Sequence, residues 1–423
     1  MTAGIDTGDT AWVLTATALV LMMTPALGLF YAGLVRSKNT LNTFMMCLGA
    51  ISVALITWAL VGYSFAFDSG NGFIGGFGNA LLSGVTLEPR AGQTIPHLLF
   101  FAFQATFCII TTALVCGAVV ERMRFGAFLI FSALWSVLVY AVLAHWVFGG
   151  GWLQSGGTLD FAGGVPVEMA SGFSALAAAI VVGPRRDWGR QAFLPHNAMF
   201  VLLGAGLLWF GWFGFNGGSA LAANKSGVLA FVNTLLCPAC TLAAWFVLDL
   251  LRTRRVTAIG AATAIVVGCV AITPAAGYIS PGWAMALGVI AALPSYAVIV
   301  LRPRWRVDET LDVLAAHGTA GLVGILFIGL VAQVGWNGVS DGLFYGNADQ
   351  LLWQTLAVVG TVAYSFGATY VLLKVLGALM PLRVSNDDEA LGLDVVTHGE
   401  EAYATGEGAL LVLQETTIGA GRT

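Results

Sequence analysis

Long apolar runs separated by short polar loops recur along almost the whole chain. Eleven are long enough to cross a bilayer as helices, with limits near 11–35, 41–67, 95–120, 125–148, 165–183, 196–217, 227–251, 256–277, 282–301, 310–333 and 350–380. A helix needs about 20 apolar residues to span the hydrocarbon core. The first run follows Asp6 and Asp9 rather than a basic segment and exceeds a signal-peptide core, so it is read as a retained membrane helix. The pattern predicts an all-α polytopic membrane protein.

The loops between the runs alternate in character. Arg36 and Lys38, Arg122 and Arg124, Arg185, Arg186 and Arg190, Arg252, Arg254 and Arg255, and Arg302, Arg304 and Arg306 occupy every second loop. The intervening loops hold only Arg90 and Lys225. Cationic loops stay on the cytoplasmic side, which places the N-terminus outside and the C-terminus inside. Five runs precede the Arg185–Arg190 loop and five follow it, so the two sets start on opposite sides. This is the pattern of an inverted-topology repeat, whose site lies near mid-membrane between the halves. The eleventh run is left over as a long tilted strut. The division predicted is a transmembrane domain over 1–380 and a cytoplasmic tail over 381–423, acidic through Asp387, Asp388, Glu389, Asp394, Glu400 and Glu401.

Against this background two ionisable residues stand out, Glu168 in the fifth run and His317 in the tenth. A charge at mid-bilayer costs roughly 2.5–3.5 kcal/mol even on insertion scales, and the repeat brings these two positions together. Together they can form a carboxylate–imidazolium or an acid–imidazole pair; the alternative is a structural bond joining the halves. Asp160, just before the fifth run, has the place of a helix cap.

Composition narrows the function classes. The 423 residues are 58% hydrophobic and 9% charged, with a net charge of −4, against about 25% charged in soluble proteins. No basic patch interleaved with aromatics is present for nucleic acid. All six cysteines lie in apolar stretches, and Cys237-Pro-Ala-Cys240 lacks a second pair, so it is read as buried thiols. No metal-ligand cluster, nucleophile arrangement or phosphate loop supports an enzyme or a cofactor. The 54 glycines suit close helix packing. His97, His145 and His196 sit at helix ends and are read as packing residues, and His398 belongs to the tail.

Several motifs are more specific. They include Phe30-Tyr31-Ala32-Gly33-Leu34, Phe103-Gln104-Ala105-Thr106-Phe107, Gly117-Ala118-Val119-Val120-Glu121-Arg122 and Asp160-Phe161-Ala162-Gly163-Gly164. The second half adds Trp212-Phe213-Gly214-Phe215-Asn216-Gly217-Gly218-Ser219, Ala316-His317-Gly318 and Gly392-Leu393-Asp394-Val395-Val396-Thr397-His398-Gly399-Glu400. With these the chain resembles the ammonium transporter/methylammonium permease/Rhesus family, in its bacterial ammonium transporter branch, over nearly its whole length.

The resemblance implies an eleven-helix, five-plus-five fold, a homotrimer in lipid, and ammonium as the transported species. It further implies cation recruitment by Phe107, Phe148 and Ser219, with Asp160 shaping the entry. Phe107 and Phe215 would form the gate, and Glu168, His317 and Trp212 the pore and proton relay. A PII-type regulatory protein would dock on the cytoplasmic face, and the tail would couple subunits. Two departures accompany it. Phe148 stands where the family usually has Trp, with Trp146 on another helix face, and Glu168 replaces the first of two pore histidines, as in some fungal permeases. The alternatives are a membrane ammonium sensor and a Rhesus-type neutral ammonia channel. The residues after Gly408 match no motif.

Overall fold

The computed structural model describes residues 4–403; the segment after Gly408 lies outside them. All eleven runs form helices: α1 (Thr7–Leu34), α2 (Ser37–Phe67), α3 (His97–Ala118), α4 (Phe125–Gly156), α5 (Gly164–Val182), α6 (Ala198–Gly218), α7 (Lys225–Thr253), α8 (Ala258–Ile272), α9 (Pro281–Arg304), α10 (Leu314–Val331) and α11 (Ala348–Leu379). Ten are long and apolar enough to span. The eighth is shorter than its apolar run, because the chain turns from Thr273 to Ser280 before α9 begins. Side-chain caps fix several starts. Asp6 accepts from Asp9 N at 2.9 Å, Asn197 from Phe200 N at 3.1 Å, and Asn224 from Gly227 N at 3.0 Å.

The two halves pack alike. α1 contacts α2 and α3, and α2 contacts α3 and α4; in the second half α6 contacts α7 and α8, and α7 contacts α8 and α9. Equivalent helices then cross each other antiparallel. Gly33 near the end of α1 lies on Val201 at the start of α6, whereas Gly214 near the end of α6 lies on Leu19 of α1. Likewise Gly164 of α5 faces Ile325 of α10, and Gly172 abuts Gly318. The inverted repeat is therefore built around two crossings, α1 with α6 and α5 with α10. Both use glycine to bring backbones together where lipid supplies no hydrophobic drive.

α11 packs on α5 and α10. Its buried stripe carries Gln354, Thr361, Ser365 and Thr369 at helical spacing, while Leu352, Val359, Val371 and Val375 face outward. That polarity is the reverse of a water-soluble helix, as a lipid-facing element requires.

On the side of the arginine-rich loops, most arginines are exposed, but one network of charges is buried. Glu121, held in the left-handed region at φ 70°, accepts from Arg36 Nε at 2.9 Å, Asn39 Nδ2 at 2.9 Å and Arg185 Nη1 at 2.6 Å. Arg185 also grips Asp308 through Nε and Nη2, each at 2.8 Å. Arg122, fully buried, donates to the carbonyls of Ala118, Gly183 and Asp308 and to the Thr310 hydroxyl. Burial alone would raise the Glu121 and Asp308 carboxyls, but the guanidiniums of Arg185, with Arg36 or Arg122, outweigh it and hold both below their ordinary values.

The described part of the tail is packed, not a solvated extension. A short helix α12 (Asn386–Leu391) starts with a Ser385/Asp388 capping box. Asp394 then caps α2, accepting from Asn42 N at 2.8 Å and Leu41 N at 3.0 Å. Lys38 Nζ donates to Glu389 O at 3.1 Å, and the Arg383–Glu389 pair closes at 2.6 Å. Of the acidic residues, Asp388, Glu389 and Asp394 thus hold the tail in place, while Asp387, Glu400 and Glu401 are exposed.

Two outcomes test this frame. A methyl group at Gly172 would collide with the Gly318 backbone, whereas Gly206 has open space around it. Gly172→Ala should cost about 1–3 kcal/mol through overpacking, and Gly206→Ala should leave the thermal melt in detergent within about 0.5 kcal/mol of wild type. Arg185→Ala strips Asp308 of its charged side-chain partner and leaves Glu121 with Arg36 and Asn39 only, and should cost about 3–5 kcal/mol. Because both folded carboxyls lie below their ordinary values, the network's contribution is complete above 4.5, the ordinary Glu value, and is lost as pH falls through the folded ones. The acid limb of a pH–stability curve measures this, and in Arg185→Ala it should flatten.

Candidate functional site

Glu168 and His317 meet at the α5–α10 crossing, with His317 Nδ1 2.8 Å from Glu168 Oε2. Each reaches the crossing by the same local construction. Asp160 sits eight positions before Glu168, and its carboxylate accepts from the backbone N–H of Gly163 at 2.9 Å, Gly164 at 2.7 Å and Val165 at 2.7 Å. Glu309 sits eight positions before His317 and accepts from Val313 N at 3.0 Å and Leu314 N at 3.3 Å. Both helices open with π-helical turns, Gly164–Met169 and Leu314–Thr319, and the pair lies in those turns. A π-turn widens the helix and re-aims side chains, and such turns concentrate at functional sites.

Among the described residues Glu168 Oε1 has no hydrogen-bond partner, although the side chain is buried. An unpaired buried carboxylate oxygen is costly, which sets Glu168 apart from the amide-bonded Asp160 and Glu309. The pair borders a narrow cavity of about 10 Å³, enough for about one water-sized occupant. Met23, Leu27, Ile110, Leu114, Val167 and Leu208 line it together with Trp212 and Phe215. Trp212 is pinned by its indole N–H, which donates to Thr273 Oγ1 at 2.8 Å. The lumen is thus apolar except where Glu168 and His317 border it.

Phe107 and Phe215 separate this lumen from the outside. Their centroids are 4.3 Å apart at an interplanar angle of 40°; Phe107 lines the outer cavity and Phe215 the inner one. The outer region consists of two adjoining cavities, about 330 Å³ and 920 Å³, that share Phe148, Gln154, Phe161 and Ser219. Ser219 Oγ donates to Phe215 O at 2.8 Å, which leaves its lone pairs free to accept. Asp160 forms part of the larger cavity's wall. Burial pushes its carboxyl up to about 6 against the pull of its amide donors.

All the residues singled out in sequence therefore fall along one path. Phe148, Ser219 and Asp160 border the outer cavities, Phe107 and Phe215 the partition, and Trp212, Glu168 and His317 the lumen. Trp146 turns away, donating its indole N–H to Phe73 O at 3.0 Å. The other histidines serve packing. His97 contacts Tyr63 Oη at 2.6 Å, His145 the carbonyls of Ala66 and Asn71, His196 the Val35 carbonyl, and His398 the Asn42 amide. Cys237 Sγ donates to Gly268 O at the α7–α8 contact.

Phe161 and Gln104, present in sequence only as motif members, and Arg90, present only as a loop charge, also line the vestibule, and Glu309 was not noted in the sequence at all. Glu309 carried a signal, since its offset from His317 matches that of Asp160 from Glu168.

Three comparisons match this arrangement. The profile of the Ammonium Transporter Family covers residues 11–403. An ammonium transporter of Bacillus subtilis (strain 168) is 44% identical over 399 residues, 94% of this chain and 98% of that protein. Among solved structures, Candida albicans Mep2 superposes with a TM-score of 0.86 at 33% identity, covering 91% of this chain and 88% of that one. A structure described as a sensor Amt protein gives 0.86 at 29% identity, covering 92% and 98%. On its sequence, fold and relatives, the chain belongs to the ammonium transporter family.

Proposed function

We propose that this protein moves ammonium across the membrane by recruiting the cation and passing ammonia and a proton along a shared path. The observation that carries the mechanism is the buried Glu168–His317 pair with an orphan carboxylate oxygen on an otherwise apolar lumen. A desolvated cation in hydrocarbon faces a Born cost on the order of 20 kcal/mol. The vestibule offsets part of it. The faces of Phe107 and Phe148 supply cation–π attraction of about 0.5–2 kcal/mol, and the Ser219 hydroxyl supplies an acceptor.

Beyond the Phe107/Phe215 partition the cation separates into ammonia and a proton. Ammonia crosses the apolar lumen without charge. The proton enters the Glu168–His317 contact, where acid–imidazole and carboxylate–imidazolium forms exchange across 2.8 Å. Its arrival at Glu168 and departure from the other ring nitrogen of His317 balance the charge. Trp212 fills the wall beside the pair and keeps bulk water from it.

The resemblance and the arginine-rich loops support a homotrimer in the cell membrane, N-terminus outside, with a PII-type protein docking on the cytoplasmic face. A second reading, an ammonium sensor, draws on the equally close fold of the sensor structure. It predicts ammonium binding without charge movement.

In proteoliposomes on a solid-supported membrane, an ammonium pulse should drive a current that falls at least about tenfold in Glu168→Gln while assembly is retained. Binding without current in the wild type would favour the sensor, and an undiminished current in Glu168→Gln would remove Glu168 from the relay. Phe148→Trp restores a stronger π face and should lower the half-saturating ammonium concentration about two- to fivefold, read from the same currents.

A further inference from the structure

The outer vestibule also holds a fixed cation that the recruitment of ammonium does not explain. Arg90, in the loop between α2 and α3, lines the 330 Å³ cavity together with Gln104, Phe107, Phe148 and Ser219. Its guanidinium carbon stands 4.6 Å above the Phe100 ring and 5.6 Å from Phe67, and Nη2 donates to Phe67 O at 3.3 Å. Among the described residues it makes no ion pair. Two carboxylates border the larger of the adjoining cavities, which Arg90 does not itself line: Asp160 is committed to three backbone amides, and Asp349 sits at the start of α11. The Arg90 charge is therefore held in place by aromatic faces and a carbonyl, and among the described residues no carboxylate stands within ion-pair distance of it.

We propose that Arg90 is a specificity-determining residue of the vestibule, a tethered cation whose field opposes ammonium and so sets the concentration at which the site fills. A guanidinium stays charged at every physiological pH. The vestibule walls have low dielectric and focus that field into the cavity where the substrate cation must sit. The repulsion acts on ammonium and other cations and leaves neutral ammonia untouched, so Arg90 shifts the balance of entry toward the uncharged form. Its seat on Phe67 and Phe100 keeps it off Phe107 and Phe148, so it repels the ion without occupying the ion's place.

This inference rests on the recruitment reading above, and one set of measurements separates the two. Full-length protein in proteoliposomes is pulsed with ammonium, and the half-saturating concentration is read for wild type, Arg90→Lys, Arg90→Gln and Arg90→Glu. Lys should stay within about twofold of wild type, Gln should lower the value several-fold, and Glu should lower it further. Lys374→Gln, which removes a cation from α11 far from the vestibule, should leave it unchanged. On the unmodified protein, raising ionic strength with N-methylglucamine gluconate should lower the half-saturating concentration, because screening weakens a repulsion; in Arg90→Glu the trend should reverse.

A packing role alone predicts that Lys and Gln are equally disturbed and that the salt trend has no sign change; either result overturns the proposal. Should the Gln and Glu variants fail to assemble, a wild-type half-saturating concentration that rises or stays flat with salt overturns it as well. Absence of any wild-type response to ammonium instead defeats the recruitment reading and this inference with it.

Discussion

The close antiparallel crossing of α5 and α10 is the constraint on which the rest of the structure depends. It brings a carboxylate and an imidazole to hydrogen-bond distance in the interior of a membrane bundle, where neither could stand alone at tolerable cost. The crossing exists because Gly172 and Gly318 let the two backbones touch. Any side chain there would separate the helices and lengthen the Glu168–His317 contact. The lumen, the partition and the vestibule are arranged around this fixed point.

Four buried carboxylates around the α5–α10 crossing and the arginine-rich loops fall into two patterns. Asp160 and Glu309 are satisfied by backbone amides at helix starts, where the helix dipole favours negative charge. They occupy equivalent places in the two inverted halves, one before each π-turn. Glu121 and Asp308 are satisfied by guanidiniums, and they tie the loops after α1, α3, α5 and α9 together. Glu168 follows neither pattern, since one of its oxygens is bonded to His317 and the other has no partner. That exception lies on the lumen.

Polarity along the path falls and then returns at one point. The outer cavities present hydroxyl, amide, carboxylate and aromatic groups, with Arg90 as a standing positive charge. The Phe107/Phe215 stack ends this region, and below it the wall is hydrocarbon and aromatic until the acid–imidazole pair. Such a profile suits a species that is charged outside and neutral inside, with its proton handled separately.

Much of this was legible in the sequence because membranes impose strong local rules. Eleven apolar runs, alternating arginine loops and one ionisable residue in the fifth helix of each half determined the topology, the inverted repeat and the central pair. These signals depend on composition over about twenty residues, which the bilayer itself enforces. Tertiary structure alone decided how Glu121 meets Arg36 and Arg185 across three loops, why the acidic tail is anchored, and that α5 and α10 open in π-turns. It also placed Arg90 on one cavity with Phe107 of α3 and Ser219 just past the end of α6. These features depend on contacts between residues far apart in the chain, and no local pattern encodes a distance.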